Sequence, residues 1–171
     1  YLPLPYYKTG KRAIREGIYF KIDKDVFALA KKYVRSNRST IFLYYSAVFS
    51  TIVMHYADNK SCLLAYQHNC RPAGFTDLIS VFVDSLPLRA QLDEKTTFND
   101  LIRSMTDQRQ ESKKYNSCLF EDLVQRLRAE RGREDNKTPF NVVINQAVLT
   151  DSTPLNLDGL KCASLAPPET E

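Results

Sequence analysis

The chain has 171 residues, 43% of them hydrophobic and 26% charged, and a net charge of +4. That is the profile of one globular domain with a real core. Lys and Arg are scattered among Asp and Glu, without the basic face and stacking aromatics of a nucleic-acid binder, so no nucleic acid is expected as a partner.

Residues 1–16 are rich in Pro, Tyr, Lys and Arg and carry no period, which reads as a linker or arm with no signal peptide. Residues 17–23 alternate, with Ile18, Phe20 and Ile22 on one side, and predict a strand with one covered face. Asp23 is a cap for a helix whose stripe is Val26, Leu29, Ala30, Tyr33 and Val34. After Ser36-Asn37-Arg38, Ser39 caps a second helix over about 40–56, apolar nearly all round and so expected to be central and covered on most sides. Its apolar run is interrupted by Ser, Thr and His55 and falls short of the roughly 20 residues of a membrane span, so no membrane is expected.

Asp58-Asn59 makes a turn, residues 61–67 a short strand with Leu63 and Leu64 buried, and residues 68–74 a loop. Residues 79–89, ISVFVDSLPLR, begin as a buried strand over 79–83 and then carry Asp84, Pro87 and Arg89. Strand interiors disfavour Asp and Pro, so this run is an edge segment or a site. Thr97-x-x-Asp100 resembles a capping box and starts a helix to about residue 114, with Phe98, Leu101, Ile102 and Met105 on one face. Asn116-Ser117 breaks the chain, and a further helix over 120–131 has the stripe Phe120, Leu123, Val124 and Leu127. A charged loop over 131–138, a strand over 140–149 and a strand-like piece over 155–160 follow. The order predicts an α+β domain, a mixed sheet with helices packed on it.

Catalytic residue types are scarce. The two histidines are His55 and His68. His55-x-x-Asp58 reads as a base and its orienter, or as ordinary helix-terminus residues. His68 lies two residues before Cys70, but a Cys–His nucleophile pair is normally assembled by the fold. Cys62, Cys70, Cys118 and Cys162 contain no C-x-x-C pair, so no metal is expected, and free thiols in a reducing cytoplasm are. There is no Gly-rich phosphate loop and no H-E-x-x-H. No catalytic residue is assigned to this chain.

ISVFVDSLPLR resembles the pattern I-G-x-F-V-N-T-x-x-x-R of nonribosomal peptide synthetase condensation domains. Three further stretches resemble that family in the right order. CLLAYQHNCR, residues 62–71, is similar to the strand and loop that end in a Gly-Arg pair. NSCLFEDLV is similar to the H/N-Q-D-x-P-F-E stretch and retains Asn116, Phe120 and Glu121. REDNKTPFNVVINQ is similar to the R-D-x-S-x-x-P-L-F segment and retains Arg133, Asp135 (displaced by one), Pro139 and Phe140. The helix pair over 24–56 matches as well. Ser80, Asp84 and Ser85 replace the family's Gly, Asn and Thr; the Gly and Pro before Arg71, and the Q-D and Pro of the third stretch, are missing.

The resemblance implies a fold of two chloramphenicol-acetyltransferase-like lobes, with a catalytic H-H-x-x-x-D-G motif in the first. This chain has no HH pair and stops at Glu171, before the family's closing strands and helix. It is therefore expected to be the C-terminal, second lobe over 17–171, trimmed at its end, and inactive by itself. The resemblance places Asp84, Ser85 and Arg89 at the substrate tunnel, Val81 and Val83 as anchors in the core, and Pro87 where pairing ends. It implies the N-terminal lobe and acyl or peptidyl carrier domains as partners. Phosphopantetheine would ride on those carriers, with no cofactor bound directly. Arg126, Arg128, Arg131 and Arg133 are the carrier-binding candidates, although Glu130, Glu134 and Asp135 among them also suit a salt-bridged solvated face. The alternatives are a non-catalytic docking module, a related CoA-dependent acyltransferase and an epimerisation domain.

Overall fold

The computed structural model describes residues 17–115, 120–131 and 139–147. Asp23 accepts the Asp25 N–H at 2.7 Å and starts α1, Lys24–Ser36. Thr40, one residue beyond the predicted cap, accepts the Leu43 N–H and starts α2, Ile41–Tyr56. Then come β1, Ser61–Asn69, and β2, Val83–Gln91. The capping box of Thr97 and Asp100 forms as expected and opens α3, Phe98–Ser112, which tightens into one 3-10 turn over Lys113–Tyr115. Next are α4, Phe120–Arg131, and β3, Val143–Ile144.

Among the described residues three strands lie in the order β2-β1-β3. β1 and β2 are antiparallel, from Ser61 opposite Gln91 to Asn69 opposite Val83. β3 is parallel to β1, with Ala65 opposite Val143. This is a mixed sheet with helices packed on it, the expected α+β architecture.

Alternation sends Cys62, Leu64 and Tyr66 of β1 and Leu86, Leu88 and Ala90 of β2 to one face, and all six are buried. Leu43, Ala47, Val53 and Met54 of α2 and Leu101, Ile102 and Met105 of α3 close over them. Ser46 and Ser50 are buried on α2 without penalty, because their hydroxyls donate to the carbonyls of Phe42 and Ser46. An aromatic cluster ties α1 to the rest: Tyr33 meets Tyr44 at 5.5 Å, and Tyr44 meets Phe98 at 5.6 Å. The Tyr33 hydroxyl donates to Asn99 of α3.

Several expectations need correction. Residues 17–23 form no strand, and Ile18 and Phe20 are exposed. Alternation defines two faces, but a strand also needs a neighbour for its backbone groups, and none of the described strands pairs with this segment. Of the strand expected over 79–89, the part from Val83 onward forms, as β2, and residues 79–82 do not. β1 ends at Asn69 opposite Val83, one further backbone bond joins Cys70 N–H to Phe82 O, and Val81 and Val83, both exposed, are not core anchors. His68 and Asn69, expected in a loop, belong to β1.

Pro87 does not end the pairing; it sits in mid-strand opposite Ala65. The Ala65 N–H donates to Val142 O at 3.0 Å, on the β3 side. Ala65 and Pro87 are thus a non-hydrogen-bonded pair, and the Pro87 ring nitrogen faces the open edge, where the ladder needs no donor. α2 is covered on most sides as expected, with Phe49, Ile52 and its last residues exposed. Of the strand expected over 140–149, Val143–Ile144 forms. Residues 1–16, the break at 116–117, the loop over 132–138 and the piece at 155–160 lie outside the described residues.

Candidate functional site

The edge strand β2 presents its odd-numbered N–H groups outward, and their partners define the site. Ser85 N–H is accepted by Asp84 Oδ1 at 2.7 Å. Pro87 has none to give. Arg89 N–H is accepted by Gln108 Oε1 of α3 at 3.1 Å, and Gln108 Nε2 returns a bond to Arg89 O at 3.0 Å. From Ser85 to Arg89 the edge is closed to a further strand.

Asp84 has a second task. Its Oδ2 accepts the N–H of Phe120, the first residue of α4, at 3.2 Å. A helix start leaves its first N–H groups without intrahelical partners and carries a partial positive charge, so a carboxylate there is favourable on both counts. Asp84 therefore joins the start of β2 to the start of α4.

Between these elements lies a cleft of about 220 Å³. Asp84 and Ser85 line it from β2; Phe120, Val124 and Arg128, spaced four apart, line it from α4; Pro139 and Phe140 close the far side. The rings of Phe120 and Phe140 are 5.1 Å apart. Glu121 adds a second carboxylate. The lining is mixed: Phe120, Val124, Pro139 and Phe140 are apolar, Asp84, Glu121 and Arg128 are charged, and Ser85 and Gln125 are polar.

Two of the three expected tunnel residues, Asp84 and Ser85, meet here. Arg89 lies further along β2, exposed, with Nε 3.4 Å from Ser61 Oγ, and is not part of the lining. Arg126 is exposed on α4, Arg128 is half-buried in the cleft, Arg131 ends the helix, and Arg133 lies outside the described residues. Sequence reasoning did not single out Val124, Pro139 or Phe140 as lining. The four-residue spacing of Phe120, Val124 and Arg128 was a usable signal; the position of Pro139 and Phe140 depends on long-range folding.

His55 and Asp58 both line a second cleft, of about 400 Å³, with Lys60, Asp93 and Glu94. His55 is exposed at the end of α2 with its ring 6.1 Å from that of Tyr56, and Asp58 sits in the turn beyond with φ of 46°. The Cys70 thiol donates to the backbone carbonyl of His68 at 3.7 Å. Burial pushes the Cys62 thiol up, partly offset by hydrogen bonding with Ser50 and Ala90. Among the described residues no group of three His, Cys, Asp or Glu side chains is placed to hold a metal ion, and no helix is long and apolar enough to cross a membrane.

No protein-family model matches the chain. It is 25% identical over 142 residues to a plipastatin synthase of Bacillus subtilis (strain 168), a match over 79% of this chain and 4% of that one. It is 29% identical over 130 residues to a linear gramicidin synthase of Brevibacillus parabrevis, over 75% of this chain and 2% of that one. The chain thus spans a few per cent of the length of these curated relatives. Among solved structures, the first condensation domain of the CDA synthetase superposes with a TM-score of 0.58 at 11% identity, over 77% of this chain and 29% of that one.

Proposed function

We propose that this chain, a fragment of a condensation domain of the nonribosomal peptide synthetase kind, is that domain's second, C-terminal lobe. The whole domain would join a carrier-bound acyl or peptidyl thioester to a carrier-bound amine. The amine nitrogen attacks the thioester carbonyl, a C–N bond forms, the C–S bond breaks, and the thiol leaves. The amine proton passes to a base in the first lobe. Both phosphopantetheine arms belong to the carriers and arrive as part of the substrates.

One observation carries this reading. Three separate stretches that resemble the family converge on one cleft: Asp84 and Ser85 from the first, Phe120 and Glu121 from the second, Pro139 and Phe140 from the third. Residues so far apart in sequence have no local reason to meet, and a shared site supplies one. In this reading the lobe forms one wall of the reaction chamber. Phe120, Val124 and Phe140 shape it and exclude water, while Asp84 positions α4 against β2. Carrier docking is assigned to the basic segment of Arg126, Arg128, Arg131 and Arg133.

The test uses the parent domain with loaded donor and acceptor carriers. Val124→Trp fills the cleft from an exchangeable helix position. Condensed product, read by mass spectrometry, should form at least about tenfold more slowly, equivalent to about 1.4 kcal/mol of barrier. Thermal unfolding should be unchanged. Normal turnover with the cleft filled would remove it from the reaction.

A further inference from the structure

The buried stripe of α3 runs through Ile102 and Met105 and reaches Arg109 one turn later. An aliphatic side chain at that position would continue the core; instead a guanidinium is turned to the sheet. Arg109 is half-buried. Its guanidinium lies over the ring of Phe42 of α2 at 4.9 Å and over the ring of Tyr66 of β1 at 5.7 Å. Nε is buried and has no acceptor. Among the described residues the ion pairs are Lys60 with Glu94 and Arg103 with Asp100, so no carboxylate neutralises Arg109.

The rings satisfy the flat faces of the guanidinium. Its N–H groups lie in the plane, and all of them are donors. The two terminal nitrogens reach the surface, and no described acceptor takes them. The surroundings are fixed as well: the Tyr66 hydroxyl lies 3.4 Å from Ser112 Oγ, and the Ser112 hydroxyl donates to Arg109 O at 3.0 Å. A charge partly out of water costs free energy unless it is partnered, and it attracts an incoming anion more strongly than a fully solvated one.

We infer that Arg109 is an oxyanion receptor, and that its ligand is the side-chain carboxylate of a carrier-bound acidic aminoacyl or peptidyl substrate. Taking the substrate as the source rests on the second-lobe reading. Position supports it. The ring of His68 is 6.4 Å from that of Tyr66, and His68 stands opposite Asp84, which lines the cleft. Two residues of strand, about 7 Å, separate Tyr66 from the level of Asp84. Charge supports a carboxylate in particular. A planar carboxylate matches the guanidinium fork with two parallel hydrogen bonds, and its single charge is balanced by one arginine. A doubly charged phosphate would keep an excess of negative charge close to Asp84 and Glu121 of the cleft.

Two measurements on the parent domain test this. In the first, donor and acceptor carriers are loaded in turn with glutamyl or glutaminyl, and with aspartyl or asparaginyl, substrates, which differ in charge and hardly in shape. The wild type should condense the acidic member at least about tenfold faster at one of the two positions, equivalent to about 1.4 kcal/mol of barrier. In Arg109→Gln the ratio of acidic to neutral rates should fall to about one, and Arg109→Lys, which keeps the charge and loses the fork, should retain part of it. In the second, acetate is titrated into the nitrogen-labelled parent domain. The Arg109 Nε–H resonance should shift saturably, and chloride at the same ionic strength should leave it in place. Equal rates for both members of each pair in the wild type, or a ratio that survives Arg109→Gln, would overturn the substrate assignment. Absence of the acetate shift, with only a water or a fixed carboxylate of the parent on the fork, would overturn the receptor. The two ideas fail separately. A parent that condenses acidic and neutral substrates equally well loses the carboxylate site and keeps the lobe reading. A parent that condenses neither, yet shows the acetate shift, keeps the receptor and loses the lobe reading, and with it the substrate as source.

Discussion

Asp84 is a residue whose backbone partners matter as much as its charge. Its two oxygens take the N–H groups of Ser85 and Phe120, one on the sheet edge and one at a helix start. In sequence it reads as part of an edge segment or of a site. The structure adds a third description, a junction between two elements 36 residues apart. Asp84→Ala leaves both donors to water and should cost about 0.5–2 kcal/mol, the range for losing a helix cap. Asp84→Asn keeps an acceptor oxygen and should cost less. Urea unfolding of the two variants checks the order; equal stability of Ala and wild type would show that α4 does not depend on this carboxylate.

At the scale of elements, the helices were legible because their signals are local. The capping box at Thr97 and Asp100 and the stripe of Leu101, Ile102 and Met105 are read within a few residues. The same box makes a pH prediction. The Thr97 hydroxyl and N–H hold the Asp100 carboxyl below its ordinary value of 3.8, and the Thr96 hydroxyl, the Lys95 N–H and weaker contacts do the same for Asp93. A folded-state value below the unfolded one means stability that is present above about 3.8 and lost as pH falls through the lower folded value. Asp100→Asn should therefore flatten the acid limb of a stability-versus-pH curve without steepening it near neutrality. Strands were less legible, since composition marks a stretch as strand-like but pairing decides where it starts. Leu88, fully buried in β2, and Val81, exposed before it, make the contrast testable. Leu88→Ala should cost about 2–5 kcal/mol and Val81→Ala less than about 0.5 kcal/mol in this chain, by denaturant unfolding. The reverse order would restore the sequence-based register.

For the whole molecule, the basic segment at the end of α4 is the point of contact proposed with other domains. Arg126 is exposed there, and Arg131 and Arg133 follow in sequence. An Arg131→Glu/Arg133→Glu double variant should weaken binding of an acidic carrier domain at low salt and lose most of the wild type's salt dependence, in a titration at two ionic strengths. Identical affinities for both proteins at both salts would exclude this face. The sequence alone determined the class of fold, the capped helices, the apolar stripes and the four stretches that resemble condensation domains, because caps, periods and short motifs are written in neighbouring residues. It also marked ISVFVDSLPLR as an edge or a site. Only the tertiary structure decided that β2 starts at Val83, that Pro87 sits harmlessly on the outer edge, and that Asp84, Phe120 and Phe140 share one cleft. Those outcomes depend on which strand lies beside which, and on how the start of α4 meets the start of β2. Such contacts span tens of residues, and no local pattern encodes them.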